Sequence, residues 1–301
     1  MVNIQKVREW QAHEGAVYSV IRWGAEELVS GGADRLLRRW DAATGRLMQQ
    51  WGPFSGAPFV VRAAGNEIIA GLFKAGLVVV DATAPQLLAH WDKRVSVFAV
   101  SEPFRRHVWV GMSQGYVMQW DLDEHQPREI FQLGRDSWRS VVVFDDMIWV
   151  GSSRGMMAVI SPDGRLLSHW SAHQGAVFSI LPIGPDQLLT AGKDGRIRRW
   201  RTATLPPTME EEQTAHTRPI HVLAPWADYL VSGAQDKSIK IWRLAPLRSV
   251  RTIHPSFSQA AHRFSVNTVA AVSADRFVSA GEDRTIKVWA QMPSDADDTS
   301  A

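Results

Sequence analysis

The 301-residue chain contains 14 tryptophans but only 3 tyrosines, and many of the tryptophans recur at a nearly constant spacing. The residues that end successive strand-like runs lie 40, 40, 40, 40, 42 and 47 residues apart: Trp40, Val80, Trp120, Ile160, Trp200, Trp242 and Trp289. A period near 40 with four strand-like runs per unit is typical of a β-propeller, in which each unit is a four-stranded blade. The sequence therefore predicts an all-β fold, a seven-bladed β-propeller of four-stranded antiparallel blades.

A second tryptophan series, with steps of 41, 40 and 79 residues, marks the outer strand of the blades: Trp10, Trp51, Trp91 and Trp170. By this comparison residues 4–10 are an outer strand without a blade of their own, whereas the last unit stops after its third strand. An unpaired sheet edge promotes aggregation, so the extra N-terminal strand should supply the fourth strand that the last unit lacks. We expect residues 4–10 to pair antiparallel with the blade that contains residues 264–290 and to close the ring.

Composition excludes several kinds of chemistry. The chain has no cysteine, which excludes disulfides, thiol nucleophiles, iron–sulfur clusters and thiolate zinc sites. The net charge of +2 is small although the isoelectric point is near 9.0, so the strong overall field of an obligate nucleic-acid binder is missing. We expect no cofactor.

The ends of the chain give expectations about location. The first ten residues alternate between apolar and polar side chains, which fits neither a secretory signal nor a membrane span. We therefore expect a cytoplasmic protein without membrane insertion. We expect residues 1–291 to form a single propeller domain and residues 292–301, which are small and acidic, to be a disordered tail.

Four units carry His, Ser or Thr, Asp and Trp in a fixed order. The His-to-Asp separation is 20 or 21 residues, and Asp precedes Trp by 6 residues each time. These tetrads are His13, Ser30, Asp34 and Trp40; His173, Thr190, Asp194 and Trp200; His216, Ser232, Asp236 and Trp242; and His262, Ser279, Asp283 and Trp289.

The tetrads resemble a hydrolytic triad in composition, but a structural role fits them better. An enzyme needs one activated nucleophile, whereas four similar copies indicate a hydrogen-bond chain that each blade needs for itself. Ligands from different blades would also lie too far apart to share a metal ion. We therefore expect these residues to brace the blades, and we assign no catalytic and no metal-binding residue.

The repeats resemble the WD-repeat family, whose units begin with Gly-His and end with Trp-Asp. Here the first pair is Ala-His in all four tetrads, and the closing pair is Trp-Asp at Trp40-Asp41 and Trp120-Asp121 only. The resemblance covers residues 4–290. It implies a scaffold or adaptor that binds a protein or peptide partner, as a monomeric propeller within a larger complex.

Three units depart from this pattern. In the second, third and fourth units the Asp position holds Lys74, Gln114 and Arg154, and the matching His and hydroxyl are missing. We expect the arc from residue 51 to 165 to depend more on apolar packing and to loosen first.

Family resemblance also implies that three positions per blade on the upper face contact partners. The positions at the start of the first strand are Tyr18, Phe59, Phe98, Arg139, Phe178, His221 and Asn267, and the turn positions include Phe73 and Lys193. Aromatic rings above small residues would form a shallow pocket for an extended peptide, with a carboxylate anchored on Arg139 or Lys193. The alternative is that the aromatic side chains only fill the centre of the propeller.

Two connections between strands are longer than the others. Residues 254–259, which include Phe257, form an insertion on the upper face, and residues 204–213 are predicted to be a solvated loop at the rim.

A nucleic-acid-binding propeller is the alternative function. Its support is a set of arginines, Arg35, Arg38, Arg39, Arg105, Arg106, Arg196, Arg198 and Arg199.

Overall fold

A computed structural model describes residues 2–293, which form 28 short strands and one 3₁₀ turn, Ser113–Gly115. Six sheets each consist of four consecutive strands. Blade 1 contains β2 (Val17–Trp23), β3 (Glu27–Gly32), β4 (Leu37–Asp41) and β5 (Leu47–Trp51). Blade 2 contains β6 (Pro58–Ala64), β7 (Glu67–Leu72), β8 (Leu77–Asp81) and β9 (Leu87–Trp91). Blade 3 contains β10 (Val97–Val100), β11 (His107–Met112), β12 (Tyr116–Asp121) and β13 (Gln126–Gln132).

The next three blades repeat the same up-and-down order. Blade 4 contains β14 (Trp138–Phe144), β15 (Met147–Ser152), β16 (Met156–Ile160) and β17 (Leu166–Ser171). Blade 5 contains β18 (Val177–Gly184), β19 (Gln187–Gly192), β20 (Arg196–Arg201) and β21 (Thr208–Thr214). Blade 6 contains β22 (Ile220–Trp226), β23 (Tyr229–Ala234), β24 (Ile239–Arg243) and β25 (Arg248–Ile253).

Blade 7 is built from both ends of the chain. Its strands β26 (Val266–Ala271), β27 (Arg276–Gly281) and β28 (Thr285–Gln291) are followed in the sheet by β1 (Ile4–Gln11). The pairing of β1 with β28 is antiparallel, with Gln5 opposite Ala290 and Glu9 opposite Lys287. The predicted seven-bladed ring and its closure by the N-terminal strand are confirmed.

The hydrophobic core lies between the blades. The inner strands of neighbouring blades contact each other around the whole ring, including β26 with β2. Each cluster of buried apolar side chains is shared by two adjacent blades, as where Val79 of blade 2 packs with Val108 of blade 3. A Cβ on Gly71 would lie 2.2 Å from Cγ1 of Val97 in blade 3, so this contact requires glycine. A blade therefore buries its faces only against its neighbours.

The prediction of a solvated loop at residues 204–213 is wrong for most of that segment. Residues 204–207 form the turn, and Thr208–Gln213 belong to β21. Carboxylates in this strand meet arginines of β20, as Glu211 does with Arg199 (3.2 Å) and Glu212 with Arg198 (2.6 Å). Opposite charges across strands stabilise a pairing that the local composition argued against.

The predicted acidic tail lies almost entirely outside the described residues. Met292 is the last residue with a described contact, because its N–H donates to the carbonyl of Asn3 (2.9 Å). No helix among residues 2–293 has the length and apolar character needed to cross a membrane.

One ion pair joins the two ends of the chain inside blade 7. The Lys287 side chain is buried (4% exposed), and its Nζ lies 2.9 Å from Oε1 of Glu9. Lys6 also pairs with Glu9. Burial alone would raise the pKa of Glu9, but hydrogen bonds and charge from Lys6 and Lys287 outweigh it and hold that pKa below its usual value.

We predict that Glu9→Gln lowers the free energy of unfolding by about 2–3 kcal/mol, because it leaves a buried ammonium without its carboxylate. Glu129→Gln is the matched control on an exposed outer strand and should change stability by less than about 0.5 kcal/mol. Urea unfolding measures both. Equal effects would contradict a closing role for the Glu9–Lys287 pair.

Candidate partner-binding site

The structure brings the members of each tetrad into one hydrogen-bonded chain. In blade 1 the Trp40 Nε1–H donates to Ser30 Oγ (2.8 Å), His13 Nε2 lies 2.8 Å from that oxygen, and His13 Nδ1 lies 2.8 Å from Asp34 Oδ1. The same chain runs from Trp200 through Thr190 and His173 to Asp194, from Trp242 through Ser232 and His216 to Asp236, and from Trp289 through Ser279 and His262 to Asp283. We refer to these four groups as the clamps.

The pKa shifts assign a protonation state to the clamps. Burial lowers the pKa of His262 below its ordinary 6.5, although Asp283 opposes the shift. Burial alone would raise the pKa of Asp283, but hydrogen bonds from His262 and Thr285 and the charge of His262 outweigh it and lower that pKa to about 2. The clamp at neutral pH thus has an ionised Asp that accepts from Nδ1–H of a neutral His. Its Nε2 then accepts from the hydroxyl, which accepts from the indole N–H, so every group has a partner.

A basic residue near each clamp escaped the sequence reasoning. A basic residue follows the Asp by four positions: Arg38, Arg198, Lys240 and Lys287. Arg38 Nη1 lies 2.8 Å from Asp34 Oδ2 and donates to the Ala12 carbonyl (2.6 Å). Lys240 Nζ donates to the Ala215 carbonyl (2.7 Å). The clamp thereby ties the loop before the inner strand to the turn after the second strand. The constant spacing of four residues was the signal that could have revealed it.

The strand-start residues of all seven blades line the central channel, which has a volume of about 700 Å³. Tyr18 stacks on Phe59 (centroids 4.4 Å apart), and Phe59 meets Phe98 edge-on (6.2 Å). Phe178 contacts His221 (5.4 Å) on the other side. Asn267 Nδ2 donates to the Val17 carbonyl (3.0 Å) and so connects blade 7 to blade 1. We call these residues the channel ring: Tyr18, Phe59, Phe98, Arg139, Phe178, His221 and Asn267.

Arg139 is the only cation of the channel ring at neutral pH. Its guanidinium carbon lies 3.9 Å from the centroid of Phe98 and 5.5 Å from that of Phe178. Burial lowers the pKa of Arg139, and within residues 2–293 no carboxylate lies within 4.0 Å of its guanidinium. Burial and the Arg139 charge lower the pKa of His221 to about 4, so that ring is neutral. The channel thus holds an aromatic-bound cation with free N–H donors.

The side chains at the predicted turn positions differ in whether they lie at the channel. Phe73 is 40% exposed and packs on Phe59 (5.2 Å), so it extends the channel ring toward the upper face. Lys193 is exposed above blade 5 and does not line the channel. Gln235 and Glu282 do line it. The insertion between β25 and β26 lies on the upper face with Phe257 82% exposed.

Hydroxyls on the inner strands connect neighbouring blades, which the sequence reasoning missed. Ser19 Oγ accepts from the Val61 N–H (3.2 Å) and Ser179 Oγ from the Leu223 N–H (3.1 Å). The Ser140 hydroxyl donates to the Val177 carbonyl (2.9 Å). These bonds hold inner strands together below the channel ring. Their signal was a Ser one position after the strand-start residue.

Charge is distributed unevenly between the two faces. The upper face consists of the loops before each inner strand and the turns between the second and third strands. Its cations are Arg35, Lys74, Lys93, Arg94, Arg135, Arg154, Lys193, Arg218, Lys237, Arg263 and Arg284, and its carboxylates outside the clamps are Glu14, Asp92, Asp136 and Glu282. The loops of the lower face carry Glu26, Glu102, Asp123, Glu124, Asp145, Asp146, Asp163, Asp186, Asp228 and Asp275 against Arg46, Arg105, Arg106 and Arg165. The upper face is therefore positive and the lower face negative.

Most arginines behind the nucleic-acid alternative are engaged within the protein. Arg198 is buried and pairs with Asp194 (2.8 Å), and Arg39 donates to the Ala82 carbonyl (2.7 Å). Arg105 and Arg106 pair with carboxylates of the lower face. These groups do not form one continuous basic patch.

Residues 2–293 contain no cluster of three or more His, Asp or Glu that could hold a metal ion.

Two family models match parts of the chain. The model described as "WD domain, G-beta repeat" matches residues 4–41, 209–243 and 253–290. A model described as "IP5P C-F beta-propeller" matches residues 89–200. The first model covers repeats at both ends of the ring, and the seven blades are those expected of such repeats. The chain contains WD repeats within a seven-bladed β-propeller. WD-repeat propellers generally bind protein partners within complexes.

Curated relatives of this WD-repeat chain are similar to it at low identity. Autophagy-related protein 16 of Arabidopsis thaliana is 25% identical over 248 residues, which is 78% of this chain and 48% of that protein. Zinc finger CCCH domain-containing protein 17 of Oryza sativa subsp. japonica is 27% identical over 157 residues, 48% of this chain and 33% of that protein. Type I inositol polyphosphate 5-phosphatase 13 of Arabidopsis thaliana is 28% identical over 100 residues, 33% of this chain and 9% of that protein. The chain thus spans about half or less of the length of these relatives.

We predict that acid destabilises the propeller through its clamps. A His whose pKa is lower in the folded protein binds more protons when unfolded, so the free energy of unfolding falls as pH drops below about 6.5. The Asp residues act in the same direction below their ordinary value of 3.8. Urea unfolding at pH 7.5, 6.0 and 5.0 measures the slope. His216→Asn removes one titrating group and should reduce it, and an unchanged stability at pH 5.0 would contradict neutral clamp histidines.

We predict that blades 2–4, which lack clamps, exchange their amide hydrogens before the clamped blades. Hydrogen exchange followed by mass spectrometry should show the segment 51–165 losing protection first. Strands of blade 5, such as β19, provide the internal comparison within the same sample. Strongest protection in the segment 51–165 would refute the prediction.

Proposed function

We propose that this WD-repeat propeller is a non-catalytic scaffold or adaptor that binds a protein or peptide partner through its upper face and the channel mouth. The observation that carries the proposal is the channel ring, in which aromatic side chains surround a cation without a carboxylate partner. Aromatic residues and arginine are enriched at the centres of protein interfaces and contribute most of their binding energy. The clamps do not compete for this role, because their hydroxyls are buried and fully hydrogen-bonded.

The side chains of the channel ring support a role in binding a partner more than a role in filling the centre of the propeller. A side chain that only fills space is best apolar, since an unpaired guanidinium that loses water costs free energy. Arg139 instead lines a channel of about 700 Å³. A carboxylate from a partner would complete its hydrogen bonding in a charge-assisted, bidentate manner. Lys193, the other anchor considered, lies outside the channel and would contribute only at the rim.

The comparisons are compatible with this role but leave the partner open. The name of one relative, ribosome biogenesis protein YTM1 of Kluyveromyces lactis, refers to an assembly process, and that protein is 23% identical over 128 residues. We propose that this chain acts as one subunit of a larger complex and resides in the cytoplasm. The partial match to an inositol phosphatase does not bring its chemistry to this chain.

We predict that the double substitution Phe98→Ala and Arg139→Met abolishes partner capture while the ring still folds. Affinity capture from the native source, followed by identification of the co-purifying chains, measures it. The matched control is Phe104→Ala with Arg105→Ala, since this second Phe–Arg pair (4.8 Å) lies on the lower face. Capture that survives the channel substitutions, or is lost only with the lower-face pair, would contradict the proposed site.

A further inference from the structure

The three blades without clamps carry surface cations at the vacant clamp positions. In the clamped blades these positions hold the neutral His and the ionised Asp of the clamp, below the surface. The corresponding positions in blades 2–4 are held by Phe54 and Lys74, Lys93 and Gln114, and Gly134 and Arg154. The three blades without clamps thus carry Lys74, Lys93 and Arg154 at positions that hold His or Asp in the clamped blades.

We call the exposed cations of the upper loops and turns in blades 2–4 the basic arc: Lys74, Lys93, Arg94, Arg135 and Arg154. The turn of blade 2 contacts the next loop, because the Lys74 N–H donates to Ser96 Oγ (3.1 Å). That loop contacts blade 3 in turn, because the Ser96 N–H donates to Ser113 Oγ (3.1 Å). The segments that carry Lys74, Lys93 and Arg94 are therefore connected by hydrogen bonds, and their charges add to one local field.

The arc keeps most of its positive charge. Its nearby carboxylates are Asp92 and Asp136. Asp136 meets Arg154 (3.1 Å), but the Arg154 side chain is 80% exposed, and such exposed pairs bind weakly. Arg139 adds a further cation at the inner border, where Phe98 of blade 3 holds its guanidinium.

We infer that the partner segment bound at the channel mouth is an acidic peptide stretch, held by the basic arc with one carboxylate on Arg139. This inference rests on the proposed function and specifies the chemistry of the partner. The negative lower face repels such a segment, so the field of the molecule directs it to the upper face. The arc covers only three blades on one side of the mouth. A short acidic segment fits this footprint beside Arg139.

The test is a selection of random dodecapeptides displayed on phage against the immobilised full-length chain. We expect the enriched sequences to be rich in Asp and Glu. The enriched peptide should bind about tenfold more weakly to the variant Lys74→Gln, Lys93→Gln, Arg154→Gln, and raising salt from about 50 to about 300 mM should weaken it in the wild type. The lower-face variant Arg46→Gln, Arg105→Gln, Arg165→Gln changes the net charge equally and should bind the peptide within about twofold of wild type.

Three results would overturn the inference. Enriched peptides without acidic bias, or no enriched peptides, exclude an acidic segment. Unchanged binding to the arc variant excludes the arc. A random RNA dodecamer that displaces the peptide at lower concentration than the peptide itself would favour a nucleic acid instead. If native partner capture requires Phe98 and Arg139 but not the arc, this inference alone fails, whereas capture independent of both residues defeats the proposed function.

Discussion

The antiparallel pairing of β1 with β28 is the constraint on which the rest of the molecule depends. Without it blade 7 would have three strands and an exposed edge, and Lys287 would lose its Glu9 partner. Val2 and Ile4 also pack into the apolar cluster shared by blades 6 and 7. The closed ring fixes the seven inner strands relative to one another. Only then do the strand-start residues of separate blades meet around one channel, as Asn267 does with the Val17 carbonyl across the closing junction.

Each blade is stabilised by two kinds of interaction that differ along the ring. Apolar packing between blades is common to all, and the close approach at Gly71 shows how little space it leaves. The clamps add buried hydrogen bonds that hold an upper loop against an upper turn in four blades. Where the clamp is missing, those loop and turn positions no longer need His and Asp. In blades 2–4 three of these positions carry Lys74, Lys93 and Arg154 of the basic arc instead.

Much of the architecture was predictable because it repeats. The tryptophan spacing predicted the blade number, and the mismatch between the first and last units predicted the closure. Regular spacing likewise indicated which clamp residues meet. The segment around Glu210–Glu212 was misassigned because Pro and acidic residues indicate a loop locally, while the deciding partners, such as Arg199, lie on the adjacent strand. The contact of Arg139 with Phe98 and Phe178 joins three different blades, so no pattern within one repeat could reveal it.

The most direct test of the closed ring uses the absence of native cysteine. Gln5 and Ala290 face each other in the β1–β28 register, at a separation that suits a disulfide. The double variant Gln5→Cys, Ala290→Cys should form an intramolecular disulfide under mild oxidation and unfold at a higher temperature than its reduced form. The register-shifted pair Gln5→Cys, Val288→Cys should not. Failure of the first pair to cross-link, or equal cross-linking of both, would contradict a ring closed by the N-terminal strand.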